Sequence, residues 1–575
     1  MADKIFRVNM TDLSTSLEDV PADWAGHGGR GLTSTIVAAE VPPTCHPLGP
    51  NNKLVFAPGL LSGTAASNSG RISCGAKSPL TGTIKEANSG GTTAQTLAKM
   101  GCKALIIEGQ PEGDDWHCLH ITPDGVSIEK EEALIGKGNF DVVEALEARY
   151  PDASAIITIG QAGEMQMAAA NISIKDPDSR LRSCGRGGLG AVMGSKKVKA
   201  ISIDAKGGKV EIADIDAFKT ANQIFTKALV GHPVSETLGT YGTSILINVI
   251  NEAGGLPTKN FTLGQFDGHE SISGETMHDV IVERGGKPKH GCHKGCVIKC
   301  SQVYNDTGGK YKTSGFEYES IWAMGAGCTV DNLDDIAEMD SIMDDIGIDT
   351  IETSVAFGVA MDGGVLDFGD SKEMIRILKE EIAEGTPLGR VIGNGAGNVG
   401  KTYGVARVPV VKNQAIPAYD PRAIKGIGVT YATSTMGADH TVGYTIATEI
   451  LGVGGEADPL SKEGQVELSR NLQIATAAID STGMCVFIAF AALGDPTCLP
   501  ALIDMINARF GISLTGDDVT NLGMNILKTE RAFNQAAGFT SADDRLPEFF
   551  ELEPIPPHNV VWDFTPEELD SFWNF

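Results

Sequence analysis

His290-Gly291-Cys292-His293-Lys294-Gly295-Cys296-Val297-Ile298-Lys299-Cys300 puts three thiols in one short segment, spaced C-x3-C-x3-C. A zinc knuckle usually shows its fourth ligand nearby, whereas a 4Fe-4S cluster takes four cysteine thiolates that need not be local. A fourth thiol is available at Cys485, in Asp480-Ser481-Thr482-Gly483-Met484-Cys485. An iron–sulfur cluster, a structural zinc ion and three reduced cysteines without metal all stay open on the spacing alone.

With 575 residues the chain exceeds what one core organises and fits about three or four domains. A net charge of −28 and a pI near 4.8 repel nucleic-acid phosphates and anionic lipid, so neither is an expected partner; plain solubility explains the charge equally well. Eleven cysteines in a chain of this length do not make a secreted disulfide scaffold. Met1-Ala2-Asp3-Lys4-Ile5-Phe6-Arg7 lacks an apolar signal region. The longest uncharged apolar run, near residues 485–493, is about ten residues, short of a membrane span. A cytoplasmic location is expected, with recruitment as a peripheral subunit left open.

Residues 1–205 read as β-rich. Short apolar runs such as Lys53-Leu54-Val55-Phe56-Ala57, Ala104-Leu105-Ile106-Ile107, Ala155-Ile156-Ile157-Thr158-Ile159 and Val198-Lys199-Ala200-Ile201-Ser202-Ile203 alternate with glycine-rich turns. Three polar loops carry isolated arginines or lie beside them: Asn68-Ser69-Gly70-Arg71, Ala87-Asn88-Ser89-Gly90-Gly91 and Arg180-Leu181-Arg182-Ser183-Cys184-Gly185-Arg186-Gly187-Gly188. Glycine lets backbone N–H groups approach an anion and arginine offers a planar fork to phosphate, although tight turns with surface arginines read the same way. No P-loop is present, and residues 185–190 lack the preceding strand of a Rossmann fingerprint.

From residue 206 the pattern turns helical. Asp214 is placed to cap a helix with Phe218, Ala221, Ile224, Phe225, Ala228 and Leu229 on one face. Glu317-Tyr318-Glu319-Ser320-Ile321-Trp322 is expected to lead into one helix ending at Asp344. Helical pattern continues over residues 351–405 and closes in a glycine-rich stretch, residues 393–400. A long helix over about residues 463–481 is expected to deliver Asp480 and Cys485, and residues 496–540 to be helical again. Residues 547–575 read as a tail extended over the surface. Asp344-x2-Gly347-x-Asp349 and Asp480-x2-Gly483-x-Cys485 share one form after an amphipathic helix. Carboxylates there suit the N–H edge of an aminopyrimidine such as a pterin; two Asx turns closing helices are the plainer account.

Taken together these segments resemble the aldehyde:ferredoxin oxidoreductase family of tungsten- or molybdenum-pterin enzymes. The resemblance runs through Ile5-Phe6-Arg7-Val8-Asn9, Lys77-Ser78-Pro79-Leu80-Thr81-Gly82, Ala87-Asn88-Ser89-Gly90-Gly91, Gly185-Arg186-Gly187-Gly188-Leu189-Gly190, Glu317-Tyr318-Glu319-Ser320, Gly347-Ile348-Asp349-Thr350, Ala418-Tyr419-Asp420-Pro421-Arg422 and Asp480-Ser481-Thr482-Gly483-Met484-Cys485. It implies an α+β fold: an N-terminal β-sheet domain (1–205) cradling a bis-pyranopterin. Two mostly helical domains follow, one (206–405) with three cluster cysteines and the Asp-x-x-Gly-x-Asp motif, one (406–575) with the fourth cysteine. It implies tungsten or molybdenum held by two pterin dithiolenes, a Mg2+ ion bridging the pterin phosphates, and a 4Fe-4S cluster on Cys292, Cys296, Cys300 and Cys485. The family's pterin contacts fall on Arg71, Asn88, Ser89, Gly90, Arg182, Ser183, Cys184, Gly185, Asp344, Asp349, Asp480 and Met484. Its two catalytic side chains fall on Glu319, as base toward water or the aldehyde hydrate, and His440, as donor to the aldehyde oxygen. The implied substrate is a small aldehyde. The implied electron partner is ferredoxin, an iron–sulfur subunit, or a larger flavin- or NADH-linked complex.

Three departures from the family pattern stand out. The usual cysteine segment is C-x2-C-x3-C, and here His293 stands where its first thiol falls. Glu338-Met339-Asp340-Ser341 replaces the Glu-x-x-His of an interface metal, and Val442 replaces a lysine two residues after the catalytic histidine. Two alternatives accompany the reading: a family member that reduces an acyl or aromatic-acyl substrate, and a non-catalytic iron–sulfur electron-transfer subunit.

Overall fold

Apolar runs bounded by turn residues become two six-stranded sheets in the computed structural model, which describes residues 3–575; Met1 and Ala2 of the N-terminal segment lie outside the described residues. The first sheet holds β1 (Lys4–Asn9), β2 (Ser14–Asp19), β3 (Leu54–Pro58), β4 (Ile72–Lys77), β5 (Ile84–Ser89) and β6 (Cys102–Glu108) in the order β2-β1-β6-β3-β4-β5. The second holds β7 (Trp116–Thr122), β8 (Gly125–Glu131), β9 (Ala155–Thr158), β10 (Ile172–Lys175), β11 (Leu181–Cys184) and β12 (Val198–Ile203) in the order β11-β10-β9-β12-β7-β8.

Written from the hairpin outward, the two sheets have one topology. Each has an antiparallel hairpin (β1/β2, β7/β8), a parallel pair closing the unit (β1/β6, β7/β12) and an antiparallel meander beside it (β3-β4-β5, β9-β10-β11). A helix follows each hairpin, Gly29–Glu40 and Asn139–Arg149, and another precedes each closing strand, Thr93–Lys99 and Leu189–Ser195. Register fixes the equivalent positions. Ile72 pairs with Ser89 and Ile172 with Cys184, so Arg71 corresponds to Asn171 and Gly90 to Gly185. The loops expected around residues 87–91 and 180–188 are thus partly strand: Ser89 ends β5 and Cys184 ends β11.

Beyond residue 205 helices dominate. Asp214 caps Ile215–Gly231 by accepting from Ala217 N, and Phe218, Ala221, Phe225, Ala228 and Leu229 are buried. Ile224 is instead 44% exposed, because it lies off the stripe those five define. The single helix expected after Glu317 is two, Tyr318–Met324 and Leu333–Ile346, since Gly325 ends the first and Asn332 caps the second. Part of the glycine-rich stretch before residue 405 is helix, Ala396–Tyr403. The long helix Gln465–Thr482 ends at a left-handed Gly483, as Leu333–Ile346 ends at a left-handed Gly347. Residues 547–575 are not a surface strap: Phe550, Ile555, Trp562 and Phe572 are buried in the largest apolar core, where they complete its packing. That core also takes Trp322, Phe357, Tyr419 and Tyr431 from both sides of residue 405, so the division there is kept as a proposal. No single helix among the described residues is long and apolar enough to cross a membrane.

Candidate active site

Both Asp-x-x-Gly turns are stitched to the β-domain at equivalent places. Gly347 O accepts from Asn171 N at 2.9 Å and Gly483 O from Arg71 N at 3.0 Å. Gly59, just after β3, and Gly160, just after β9, lie so close to Gly483 and Ile346 that a Cβ at either would strike backbone. Two helix ends are thereby driven into matching clefts of the two half-domains. Between them opens a cavity of about 580 Å3. Its wall includes Arg71, Ser89 and Gly90 from the first half, Asn171, Arg182, Ser183 and Gly185 from the second, and Asp340, Asp344 and Asp349 from the helical part. Cys292, Cys300, Cys485, Glu319 and His440 reach the same space.

Glu319 stands in the first turn of Tyr318–Met324, and its Oε2 accepts from Ala418 N at 3.0 Å. Its Oε1 has no hydrogen-bond partner and faces His440 Nε2 at 3.3 Å. Burial pushes the Glu319 carboxyl up to about 8, only partly offset by the Ala418 N–H and Arg186. Burial likewise pushes the His440 imidazole down to about 4, against the pull of Asp439. Near neutral pH the pair therefore carries a carboxylic acid and a neutral ring. His440 Nδ1 is likewise buried and unpartnered. Tyr419, Tyr444 and Phe490 continue the wall, the two phenols sharing a 2.7 Å hydrogen bond.

Asp344 faces the cavity beside Asp340, four residues back on the same helix. Burial, then the like charge of Asp340, raises Asp344 well above the usual carboxylate range, and burial brings Asp340 to about 7. Asp349 caps Thr350–Asp362 through Ile351 N and accepts from Arg186 Nε at 3.3 Å. Asp480 does not line the cavity. It accepts from Arg30 and Asn88, both at 3.4 Å, and burial raises it to about 6 against Arg30 and Arg71. Asn88 in turn accepts from the Arg71 guanidinium on its side-chain and backbone oxygens. Arg182 spreads over Asp176, Ser301 and His290, which ties β11 to the cysteine segment.

Among the described residues no three His, Cys, Asp or Glu side chains converge tightly enough to hold a single ion. The cysteines border a wider space: Cys292, Cys300 and Cys485 on the cavity wall, and Cys296 behind them, where its sulfur accepts from Lys299 N at 3.3 Å. Burial pushes the thiols of Cys296 and Cys485 up, to about 12 and about 11. Cys292 alone goes down, to about 7, because His293 and then Arg182 and Arg71 overcome its burial. His293 Nδ1 lies 3.3 Å from Cys292 Sγ, and its Nε2 is buried without a partner.

Residues 5–205 match the aldehyde ferredoxin oxidoreductase N-terminal domain, and residues 220–573 match aldehyde ferredoxin oxidoreductase domains 2 and 3. The chain belongs to the aldehyde ferredoxin oxidoreductase family. It is 35% identical over 574 residues to the tungsten-containing aldehyde ferredoxin oxidoreductase of Pyrococcus furiosus, covering 96% of this chain and 92% of that one. Identity and coverage are the same with the enzyme of that name from Thermococcus kodakarensis. It is 25% identical to the WOR-like subunit of an aliphatic sulfonate oxidoreductase of P. furiosus, covering 92% of this chain and 86% of that one. It shares its fold with the active site complex BamBC of benzoyl coenzyme A reductase (TM-score 0.80, 18% identity, 99% of this chain and 93% of that one).

Within this family frame, four pterin contacts carried over from the resemblance lie off the cavity wall: Asn88 and Asp480, bonded to each other, and Cys184 and Met484. The Cys184 side chain belongs to the sheet core and Met484 to a helical core, whereas Ser183 and Gly185 face the cavity. Asn171 was missed, because only register reveals it as the partner of Arg71. Lys85 was missed too, and Arg186 stood only as one of several loop arginines: both are buried cations, paired with Asp439 and Asp349 respectively. Glu338, in the departed interface motif, is held by Lys312 and Lys379 of its own chain.

Proposed function

We propose that this chain oxidises an aldehyde to a carboxylic acid, RCHO + H2O → RCOOH + 2H+ + 2e−, with ferredoxin or an iron–sulfur subunit as electron acceptor. The observation that carries the reading is the Glu319–His440 pair facing a cavity walled by matched turns of two equivalent half-domains. A bis-pyranopterin fits that wall. Gly90 and Gly185 occupy equivalent turns, and a Cβ at Gly185 would project into open space. Ser89 Oγ is a buried, unpartnered polar atom on the wall. The first Asp-x-x-Gly turn presents Asp344, a carboxyl of raised pKa suited to a donor-rich heterocycle edge; in the second, Asp480 stands off the wall, bonded to Arg30 and Asn88. Arg71 and Arg182 bring positive charge to the wall, although Asn88 and Asp176 already take their donors; a Mg2+ ion would neutralise the pterin phosphates there. Cys292, Cys296, Cys300 and Cys485 are the proposed ligands of the 4Fe-4S cluster. When bound, tungsten or molybdenum in the two dithiolenes supplies a two-electron sink and the cluster a one-electron relay.

The chain's own residues then handle substrate and protons. His440, on the cavity wall, donates a ring N–H to the aldehyde oxygen and makes the carbonyl carbon more electrophilic. The Glu319 carboxylate, once ionised, takes a proton from the attacking water or from the hydrate. Tyr419, Tyr444 and Phe490 exclude bulk water from that exchange. This buried acid–imidazole pair also favours an enzyme over an electron carrier. A cytoplasmic location belongs to the same proposal. Anaerobically purified protein is expected to contain stoichiometric tungsten or molybdenum with pterin, and to reduce viologen dye when given small aldehydes. Metal-loaded protein that is silent across an aldehyde panel would overturn the reading.

A further inference from the structure

Residues 284–305 carry four lysines, one arginine and no Asp or Glu, 22 positions without an acid in a chain that has 74. They form the hairpin and loop that hold Cys292, Cys296 and Cys300. Lys287, Lys289, Lys294 and Lys299 are all exposed. Arg284 is paired with Asp334, but no ion pair among the described residues engages any of the four lysines. Alternation along β13 (Lys287–His290) sends Lys287 and Lys289 to solvent while His290 turns inward. Lys294 and Lys299 fill the gaps between successive cysteines. Lys289 and the Ile298 carbonyl both lie beside Gly239, which keeps that ammonium at the rim of the same loop. Lys287 shares its surface with Asp178 and Arg180, whereas the segments that hold the cysteine end of the loop are uncharged. Residues 64–70 and 485–494 contain no charged side chain, and they join the loop through Asn68 N to Gly295 O and Cys485 N to Asn68 O. Val230 and Leu493 are bare here, 61% and 39% exposed, on elements that meet where Gly494 packs on His232.

We propose that this lysine collar is the docking surface for a small acidic electron-transfer protein of the ferredoxin kind. Its carboxylates meet Lys287, Lys289, Lys294 and Lys299, while Val230 and Leu493 give the contact its apolar part. The inference rests on the proposed electron exit at the four cysteines. Two net-acidic proteins repel, so a local basic patch decides which faces meet, and it brings the acceptor over the cysteines. An extended polyanion such as a lipid surface or nucleic acid would instead meet the other charges of a chain at −28.

The test is association of the anaerobic holoenzyme with a purified acidic ferredoxin, followed by surface plasmon resonance at low and high salt. Wild-type association is expected to weaken steeply as salt rises. The Lys287→Glu/Lys289→Glu/Lys294→Glu variant is expected to bind about tenfold or more weakly with a flattened salt dependence. Its aldehyde-dependent reduction of a cationic viologen dye and its cluster EPR signal stay those of wild type. Lys401→Glu, on a distant exposed lysine, leaves binding unchanged. Wild-type binding that ignores salt, or charge-reversed protein that binds ferredoxin as wild type does, overturns the proposal. If the aldehyde reaction itself is misread, the dye assay fails already in wild type, while ferredoxin binding still reports on this surface.

Discussion

Glu319 and His440 show how burial decides the job of a side chain. Each is an ordinary residue in the sequence, and the resemblance alone singles them out. The fold puts Oε1 and Nε2 3.3 Å apart and shifts their proton affinities in opposite directions. Since Glu319 is a base only when ionised, kcat/KM for an aldehyde is expected to rise as pH climbs through about 8, read from a dye-linked pH profile. Glu319→Gln is expected to lower kcat/KM by about 100-fold or more and abolish that limb, with metal content intact. His440→Phe removes the ring donor and is expected to cost about 100-fold in kcat while the purified protein keeps its cofactor. An unchanged pH profile in the glutamine variant would remove Glu319 from the chemistry. Lys85 escaped notice, and Arg186 stood only as one of several loop arginines, because a buried cation looks like any surface cation until its partner, from a distant segment, is known.

At the scale of elements, the deciding features are two helix ends and one loop. Gly59 admits the turn that carries Asp480 and Cys485, and no side chain fits there. Gly59→Ala is expected to destabilise the protein by about 1–3 kcal/mol and to lower bound iron in parallel, read by thermal melts and iron assay. In the cysteine loop, Cys292 lines the cavity and His293 sits behind it. Cys292→Ala is therefore expected to lose the cluster EPR signal, and His293→Ala to keep it; the reverse pattern would make the histidine the ligand. Both Asp-x-x-Gly turns were readable, because glycine after an amphipathic helix is a local signal. The break at Gly325 was not, since a glycine inside a helical pattern is decided by packing partners far along the chain.

For the whole molecule, the buried acids set a direction for stability. Glu319 at about 8, and Glu86, Asp340, Glu352 and Glu449 at about 7, hold protons in the folded chain that the unfolded chain releases near its ordinary carboxylate values. Their contribution is fully present below those ordinary values and is lost as pH rises through about 7 to 8. Buried Lys196 and Lys103, held down to about 7 and about 8, act the other way above neutrality, so cofactor-free protein is expected to melt at lower temperature at about pH 7 than at about pH 5, by calorimetry. A flat profile would mean that these carboxyls are solvated. The α+β plan was legible, because strand runs and helical stripes are written in local periodicity. The duplication of the β-domain was not: its halves share topology, while equivalent positions hold Arg71 and Asn171, Ser89 and Cys184. By itself the sequence determined which residues are candidates for chemistry, namely four cysteines, two Asp-x-x-Gly turns, an acid and a histidine. Only the tertiary structure decided that most of them share one cavity, that Asp480, Cys184 and Met484 do not line it, and that residues 547–575 fill a core. The reason is physical: residue type and periodicity act over a few neighbours, whereas burial, register and pairing arise from segments hundreds of residues apart being packed together.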